Sequence, residues 1–380
     1  MEKLSFDIAI IGGGIAAITF AENYKKLNPD KSVAIFEISG EEPYSKVLLP
    51  HFIKEVIPLE KVIIRTQKQL EDKGIGYYKN QEVLTINIEE KTFTSSSYTI
   101  SYNQLIIATG GQARQLIDST CAFYLQTLQD AKNLIDKLKK VEKNSNAIIV
   151  GGGFISFELF EIFHKYNLKI INLVKSGIFF PNLAPAELTP ILSQILKQNG
   201  IEEIVPIESV QNVSEDSVTY DNKTISASIV AIGAGITRTH NLFGKIEEGV
   251  TTNEFLETIH KDIYAIGDIA VVTKNNVPRI TGNWNNAIQQ GIWLAKYLSN
   301  QTKSEYSFNR TTDYTTSFFG NHLSFIGNTN QNIVNNKIIK SEDNKFVTEC
   351  FINESLVGAV LLNSAELRSF YQEKINPVVG

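Results

Sequence analysis

Phe6-Asp-Ile-Ala-Ile-Ile11, Gly12-Gly13-Gly14, Ile15 through Leu27, and Val33-Ala-Ile-Phe-Glu37 are the segments whose reading decides the fold. A short apolar run, a glycine turn, a helical stretch and a second apolar run make the pattern of a βαβ unit on a parallel sheet. Within it, Gly12-x-Gly14-x-x-Ala17 has the spacing of a dinucleotide fingerprint. The first glycine makes the tight turn, and the second lets backbone N–H groups approach a pyrophosphate at a helix N-terminus. The third place must be small so that helix and strand pack closely, and Ala17 satisfies it. Glu37 ends the second strand, 23 residues after Gly14, where a carboxylate binds ribose hydroxyls.

The same syntax returns about 139 residues later. Ala147–Val150 precedes Gly151-Gly152-Gly153, Phe154–Tyr166 reads as a helix, and Leu168–Val174 as a strand. A repeated βαβ unit implies two nucleotide-binding domains rather than one large one. In this copy Gly151-x-Gly153-x-x-Ser156 carries Ser in the third place, and the second strand ends at Val174-Lys175. A cation there suits a 2′-phosphate; the alternative reading of Lys175 is a solvated loop lysine.

Further buried strands are expected at Gln104–Thr109, Ser228–Ile232 and Asp262–Ile266, each ending in a turn of small residues. Trp284–Leu298 reads as a helix, and polar Ser299–Ser307 as a linker. The tail shows strand-like segments at Tyr314–Phe325, Phe346–Ile352 and Leu356–Leu362, then a helix near Ser364–Lys374. It reads as a small α+β module.

At 380 residues the chain is long enough for two or three domains. A hydrophobic fraction of 43% with 20% charged residues belongs to a folded globular protein. The net charge of −5 argues against nucleic acid as a partner, because phosphate neutralisation needs a concentrated positive surface. Two distant cysteines, Cys121 and Cys350, exclude a disulfide scaffold, a cysteine-rich zinc site and a four-thiolate iron–sulfur cluster. The apolar stretch Ile8–Ala21 runs only 14 residues, short of the ~20 that a membrane span needs. With no leader pattern before Phe6, a soluble cytoplasmic protein is the expectation.

Taken together, these motifs resemble the pyridine nucleotide–disulphide oxidoreductase family over nearly the whole chain. Leu105-Ile-Ile-Ala108-Thr109-Gly110 looks like the family's strand-end turn, and Val230-Ala-Ile-Gly233 like the turn where the chain re-enters the flavin domain. Thr258 through Gly267-Asp268 resembles the second flavin motif, whose Asp binds the ribityl chain. Trp284, Ala287 and Gln290-Gly291 resemble the helix start that faces the isoalloxazine. The resemblance implies an α/β fold with two Rossmann-like domains and a small α+β C-terminal domain. Residues 1–111 and 236–303 form the FAD domain, 112–235 the inserted NAD(P)H domain and 304–380 the C-terminal domain. It also implies FAD and NAD(P)H as cofactors.

The segment Pro43-Tyr44-Ser45-Lys46-Val47-Leu48-Leu49-Pro50-His51 is most similar to NADH:rubredoxin reductases and to the N-terminal flavoprotein part of assimilatory nitrite reductases. Thiol-using family members carry cysteine in this region, where this chain has Val47. In related ferredoxin-type reductases a Lys in the place of His51 pairs with a Glu matching Glu158. Here His51, with Lys46 and Lys54 close by, can serve if protonated; otherwise it is a solvated helix histidine. Residues 44–79 carry seven Lys/Arg against four Asp/Glu. That local excess either steers a small acidic redox protein or forms ordinary solvated helix faces.

The resulting expectation is a monomeric or homodimeric NAD(P)H:acceptor oxidoreductase that passes electrons through FAD to a small iron protein such as rubredoxin. Lys46, His51 and Glu158 are its expected catalytic groups. The alternatives are an oxidase that reduces O2 and a flavin-bearing regulatory protein with impaired nucleotide binding.

Overall fold

The computed structural model describes residues 1–238, 248–274, 277–280, 282–307, 313–342 and 344–375. Among these, the first βαβ unit forms with the expected helix, Ile15–Leu27. Glu2–Ile11 pairs in parallel with Val33–Phe36 on one side and Tyr98–Ile107 on the other. Ile75–Tyr78 extends this sheet in parallel beyond Val33–Phe36. Tyr98–Ile107 starts several residues before the expected strand, and its two halves have different neighbours. The N-terminal half carries the antiparallel strands Thr92–Ser95 and Val83–Asn87, whereas Leu105–Ile107 pairs in parallel with Ile263–Ala265. The first sheet is therefore completed by a strand from far along the chain.

The second unit builds a parallel sheet in the order Ile201–Ile207, Lys169–Lys175, Asn146–Val150, Ile229–Ile232, Ala122–Phe123. The helix Phe154–Lys165 buries Phe157, Leu159, Phe160, Ile162 and Phe163. This module leaves and rejoins the first through a two-stranded neck, in which Gln112–Ala113 pairs antiparallel with Ile236–Thr237. An antiparallel meander, Val210–Val213, Ser217–Tyr220 and Lys223–Ser226, caps it.

The tail folds as a five-stranded antiparallel sheet with the helix Arg368–Lys374 packed on it. Tyr314–Phe325, expected as one strand-like segment, is a hairpin, because Phe319 and Gly320 take positive φ at its tip. The strand Asn335–Glu342 was not legible, being an exposed, Asn- and Lys-rich edge without apolar alternation. The polar stretch Ser299–Ser307 is no slack linker. Tyr306 is buried against Trp293 and donates its hydroxyl to Asn286 Oδ1 at 2.8 Å.

Two contacts hold the layers in register. A Cβ on Gly291 would lie 2.7 Å from the Ala16 carbonyl oxygen, so glycine lets the helix Trp284–Leu298 press directly on Ile15–Leu27. A single hydrophobic core joins Leu49, Ile53 and Val62, the helix Phe154–Lys165, and Phe318, Phe325 and Phe346 of the tail. All three modules thus close around one cleft. No described helix is long and apolar enough to cross a membrane.

Candidate functional site

The cleft has a volume of about 1260 Å³ and is lined by residues of both glycine turns and of the tail sheet. That exceeds the about 300–1,000 Å³ of an ordinary single-ligand pocket, and two dinucleotides laid end to end would need such space. Gly12, Gly14, Glu37 and Lys46 line one wall with the turn Ala108-Thr109-Gly110. Gly151, Gly153, Glu158, Lys175 and Gly233 line the other, and Gly267, Asp268 and Trp284 lie between. Ala17 and Ser156 are buried behind their turns as packing residues.

The helix ends show what the cleft is built to hold. The helices that start at Gln67, Leu128 and Trp284 receive side-chain caps from Thr66, Thr127 and Asn283. Those that start at Ile15 and Phe154 have glycine at the cap and no side-chain cap. Their first-turn N–H groups are left for an anion, and the helix dipole favours the same charge. A Cβ built on Gly14 or Gly153 meets nothing within 4 Å, so both turns open into free space. Gly12 and Gly151 cannot carry side chains. Each has positive φ, and a Cβ would lie 2.6 Å from the Ala108 carbonyl oxygen or 2.5 Å from that of Gly233. These features fit one pyrophosphate at each turn.

Glu37 accepts the Gly13 N–H at 2.6 Å and the Ser39 N–H at 3.0 Å, which holds its carboxylate beside the first turn. The turn Gly267–Ile269 is braced from behind, the Gly267 N–H donating to buried Gln290 at 2.6 Å. Gln290 and Gly291 therefore support the fold from mid-helix, while Trp284 and Ala287 of the same helix face the cleft. Burial pushes the Asp268 carboxyl up, and Lys46 and Arg238 oppose that shift. Burial likewise pulls Lys46 down, with Asp268 as its leading counter-charge. The Lys46 side chain opens into the cleft and is enclosed by protein on its other sides.

Of the two readings of His51, pairing with Glu158 does not form, and the solvated helix position is the one found. His51 is exposed, does not line the cleft, and its ring makes no hydrogen bond or ion pair among the described residues. The cation beside Glu158 is Lys54, one helical turn further on, and it is bonded to Glu161 at 2.5 Å. Glu161 also accepts the Phe319 N–H at 2.8 Å, which ties the tail hairpin to the helix Phe154–Lys165.

Sequence reasoning missed several contributors. Arg238 donates from Nε to the Asp268 carbonyl at 2.5 Å. Tyr314, stacked on Phe154 at 5.5 Å, lines the cleft, with its hydroxyl hydrogen-bonded by Asn283 and Gly282. Asn172 donates to the carbonyls of Ile149 and Gly151, both at 2.9 Å, and so pins the second turn. None sits at a fixed spacing from a motif. Only the isolated Asn172 in an apolar strand offered a local signal.

Val47 is 50% exposed and faces the cleft, whereas neither cysteine lines it. Cys350 is buried in the tail sheet, and burial pushes its thiol up to about 12.

Comparison with known proteins places this architecture. The chain is 27% identical to a monodehydroascorbate reductase of Solanum lycopersicum over 367 residues, which cover 85% of this chain and 84% of that protein. Its fold superposes on a covalent putidaredoxin reductase–putidaredoxin complex with a TM-score of 0.85 at 16% identity, covering 97% of this chain and 93% of that one. NADH:rubredoxin oxidoreductase of Clostridium acetobutylicum gives a TM-score of 0.80 at 21% identity, covering 98% and 95%. Residues 6–291 match a family whose members bind FAD and NAD(P)H and act as NAD(P)H-dependent flavin oxidoreductases. The chain belongs to the pyridine nucleotide-disulphide oxidoreductase family.

Proposed function

We propose that this protein passes electrons from NAD(P)H through FAD to a small iron protein of the rubredoxin kind, without a redox thiol. The observation that carries the reading is the cleft itself, in which two uncapped helix ends share one space with Val47 and no cysteine. We assign residues 1–111 and 236–303 to FAD, 112–235 to NAD(P)H, and 304–380 to a module that closes the cleft.

In this reading the first-turn N–H groups after Gly14 would hold the FAD pyrophosphate, with Glu37 placed for ribose hydroxyls and Asp268 for the ribityl chain. The N–H groups after Gly153 hold the nucleotide, with Lys175 at its 2′ position. When bound, FAD would supply the chemistry of accepting a hydride and donating electrons. The residues supply position and electrostatics. Lys46 places a positive charge beside Asp268, while Val47, Trp284 and Tyr314 present apolar and aromatic surface that excludes water.

Anaerobic mixing of the FAD-loaded protein with NADH and NADPH, followed by a screen of acceptors, tests the proposal. The flavin should bleach, then recolour when rubredoxin is added. A flavin that neither nucleotide bleaches sinks the reading. The likeness to monodehydroascorbate reductase supports a second acceptor, monodehydroascorbate. Recolouring by monodehydroascorbate and not by rubredoxin would select it.

A further inference from the structure

Lys54 and Glu161 form an ion pair one helical turn below the cleft floor, and neither lines the cleft. Both are largely buried, with side-chain exposures of 17% and 24%. Glu158 stands one turn nearer the cleft on the same helix and lines it. It has no hydrogen bond and no ion pair among the described residues. The helix Leu49–Ile53, which could have carried a cation to it, points His51 into solvent instead. A carboxyl group is thus left with no bonded partner, its neighbouring cation Lys54 being taken up by Glu161, in the space that an anionic dinucleotide would enter.

We propose that nucleotide binding is coupled to protonation of Glu158, so that the protein takes up a proton there as the dinucleotide enters the cleft. This rests on the nucleotide site proposed above. An ionised Glu158 would repel the phosphates and be stripped of cleft water on binding. A neutral carboxyl avoids both costs. Burial by the protein itself pushes this carboxyl up to about 7; Lys54 opposes the shift and Glu161 adds to it.

The surrounding elements supply few rivals. Besides Lys54 and His51, the helix Leu49–Ile53 and its C-cap bring no other titratable group. The tail strand Tyr314–Phe318 brings only Tyr314, whose hydroxyl burial pushes up. The strand Asn146–Val150 brings none, and Lys169 and Lys175 of the neighbouring strand are exposed. On its own helix, Glu161 is held by Lys54, His164 packs on Phe319, and Lys165 pairs with Glu55. Lys46 opens into the same cleft, with Asp268 as its leading counter-charge.

The test titrates FAD-loaded protein with ADP-ribose, which carries the ionised pyrophosphate without the cationic ring of oxidised nicotinamide, by calorimetry from about pH 6 to 8.5. Two buffers of different ionisation enthalpy report the protons exchanged. Near neutral pH, roughly half a proton should be taken up per nucleotide bound. The dissociation constant should rise about tenfold over the upper part of the range. Glu158→Gln should remove both effects, and His51→Asn should keep both. Glu161→Gln should move the proton uptake to lower pH. Zero uptake in the wild type overturns the inference, as does uptake that survives Glu158→Gln or vanishes in His51→Asn. The wild-type proton count alone decides the matter if Glu158→Gln does not fold. The test also separates this inference from the nucleotide site itself. A flavin that bleaches with NADH while no proton is taken up removes only the coupling, and a flavin that never bleaches removes the site.

Discussion

Replacing Glu161 with Gln is the sharpest probe of how the three modules are held together. Glutamine keeps an oxygen for the Phe319 N–H, so the substitution removes the charge and leaves the hairpin bond in place. What is lost is the 2.5 Å pair with Lys54. Exposed pairs contribute about 0.2–1 kcal/mol, whereas stranding one partner of a fully buried pair costs about 3–5 kcal/mol. Side-chain exposures of 17% and 24% put this pair nearer the buried end. We expect a loss of about 2 kcal/mol, and about 1 kcal/mol more for Glu161→Ala, which also leaves the Phe319 N–H without its acceptor. The assay is a double-mutant cycle with Lys54→Met, read at the first unfolding transition in denaturant with FAD saturating. A coupling energy below about 0.5 kcal/mol would refute the assignment of this pair as a structural tie.

Four shorter predictions accompany it. Asp268→Ala should weaken FAD retention while the apoprotein stays folded, and full retention on gel filtration would remove Asp268 from the FAD site. Lys175→Glu should shift the ratio of kcat/KM values toward NADH by about 1–2 kcal/mol; an unchanged ratio means that Lys175 points into solvent. The folded state holds the Glu158 proton up to about pH 7, above the ordinary carboxylate range, so this group lowers stability as pH rises from about 4.5 to 7. Glu158→Gln should therefore stabilise the protein by about 1–2 kcal/mol at pH 8 and hardly at all at pH 4, and an equal gain at both would refute the titration. Anaerobic reduction should take up two electrons per FAD with no charge-transfer band from a thiolate, and the double Cys-to-Ser variant should keep its turnover. Uptake of four electrons refutes this.

What the sequence revealed, and what it hid, follows from the range over which each feature is encoded. Both glycine turns, the Gly267-Asp268 turn and the helix at Trp284 were legible because a few adjacent residues determine them. Gly12 needs positive φ and Ala17 must be small, whatever the rest of the chain does. The pair of Lys54 with Glu161 spans 107 positions, and the Glu161 bond to Phe319 another 158. Such contacts exist only after three modules have packed. The same holds for Arg238 and Tyr314 at the Asp268 turn. That Lys54 rather than His51 lies beside Glu158 has this origin too. Motif alignment fixes a residue's place in the chain, but helix rotation decides which residue of a turn meets its partner. Asn335–Glu342 was hidden for another reason: an edge strand solvated on both faces has no apolar period to read.

The two-stranded neck and the late strand Ile263–Ala265 set an order of events during synthesis. Leu105–Ile107 leaves the ribosome about 155 residues before the strand that will cover its open edge. At about 5–20 residues per second, that apolar edge waits roughly 8–30 seconds. In the meantime the inserted module can finish itself, since all five of its sheet strands precede Ile236. The Gln112–Ala113 to Ile236–Thr237 pairing then brings the two ends of the insert together and shortens the loop that Ile263–Ala265 must close. A folded insert therefore eases completion of the first sheet. Damage to the insert should appear first as aggregation of the nascent chain through its uncovered Leu105–Ile107 edge.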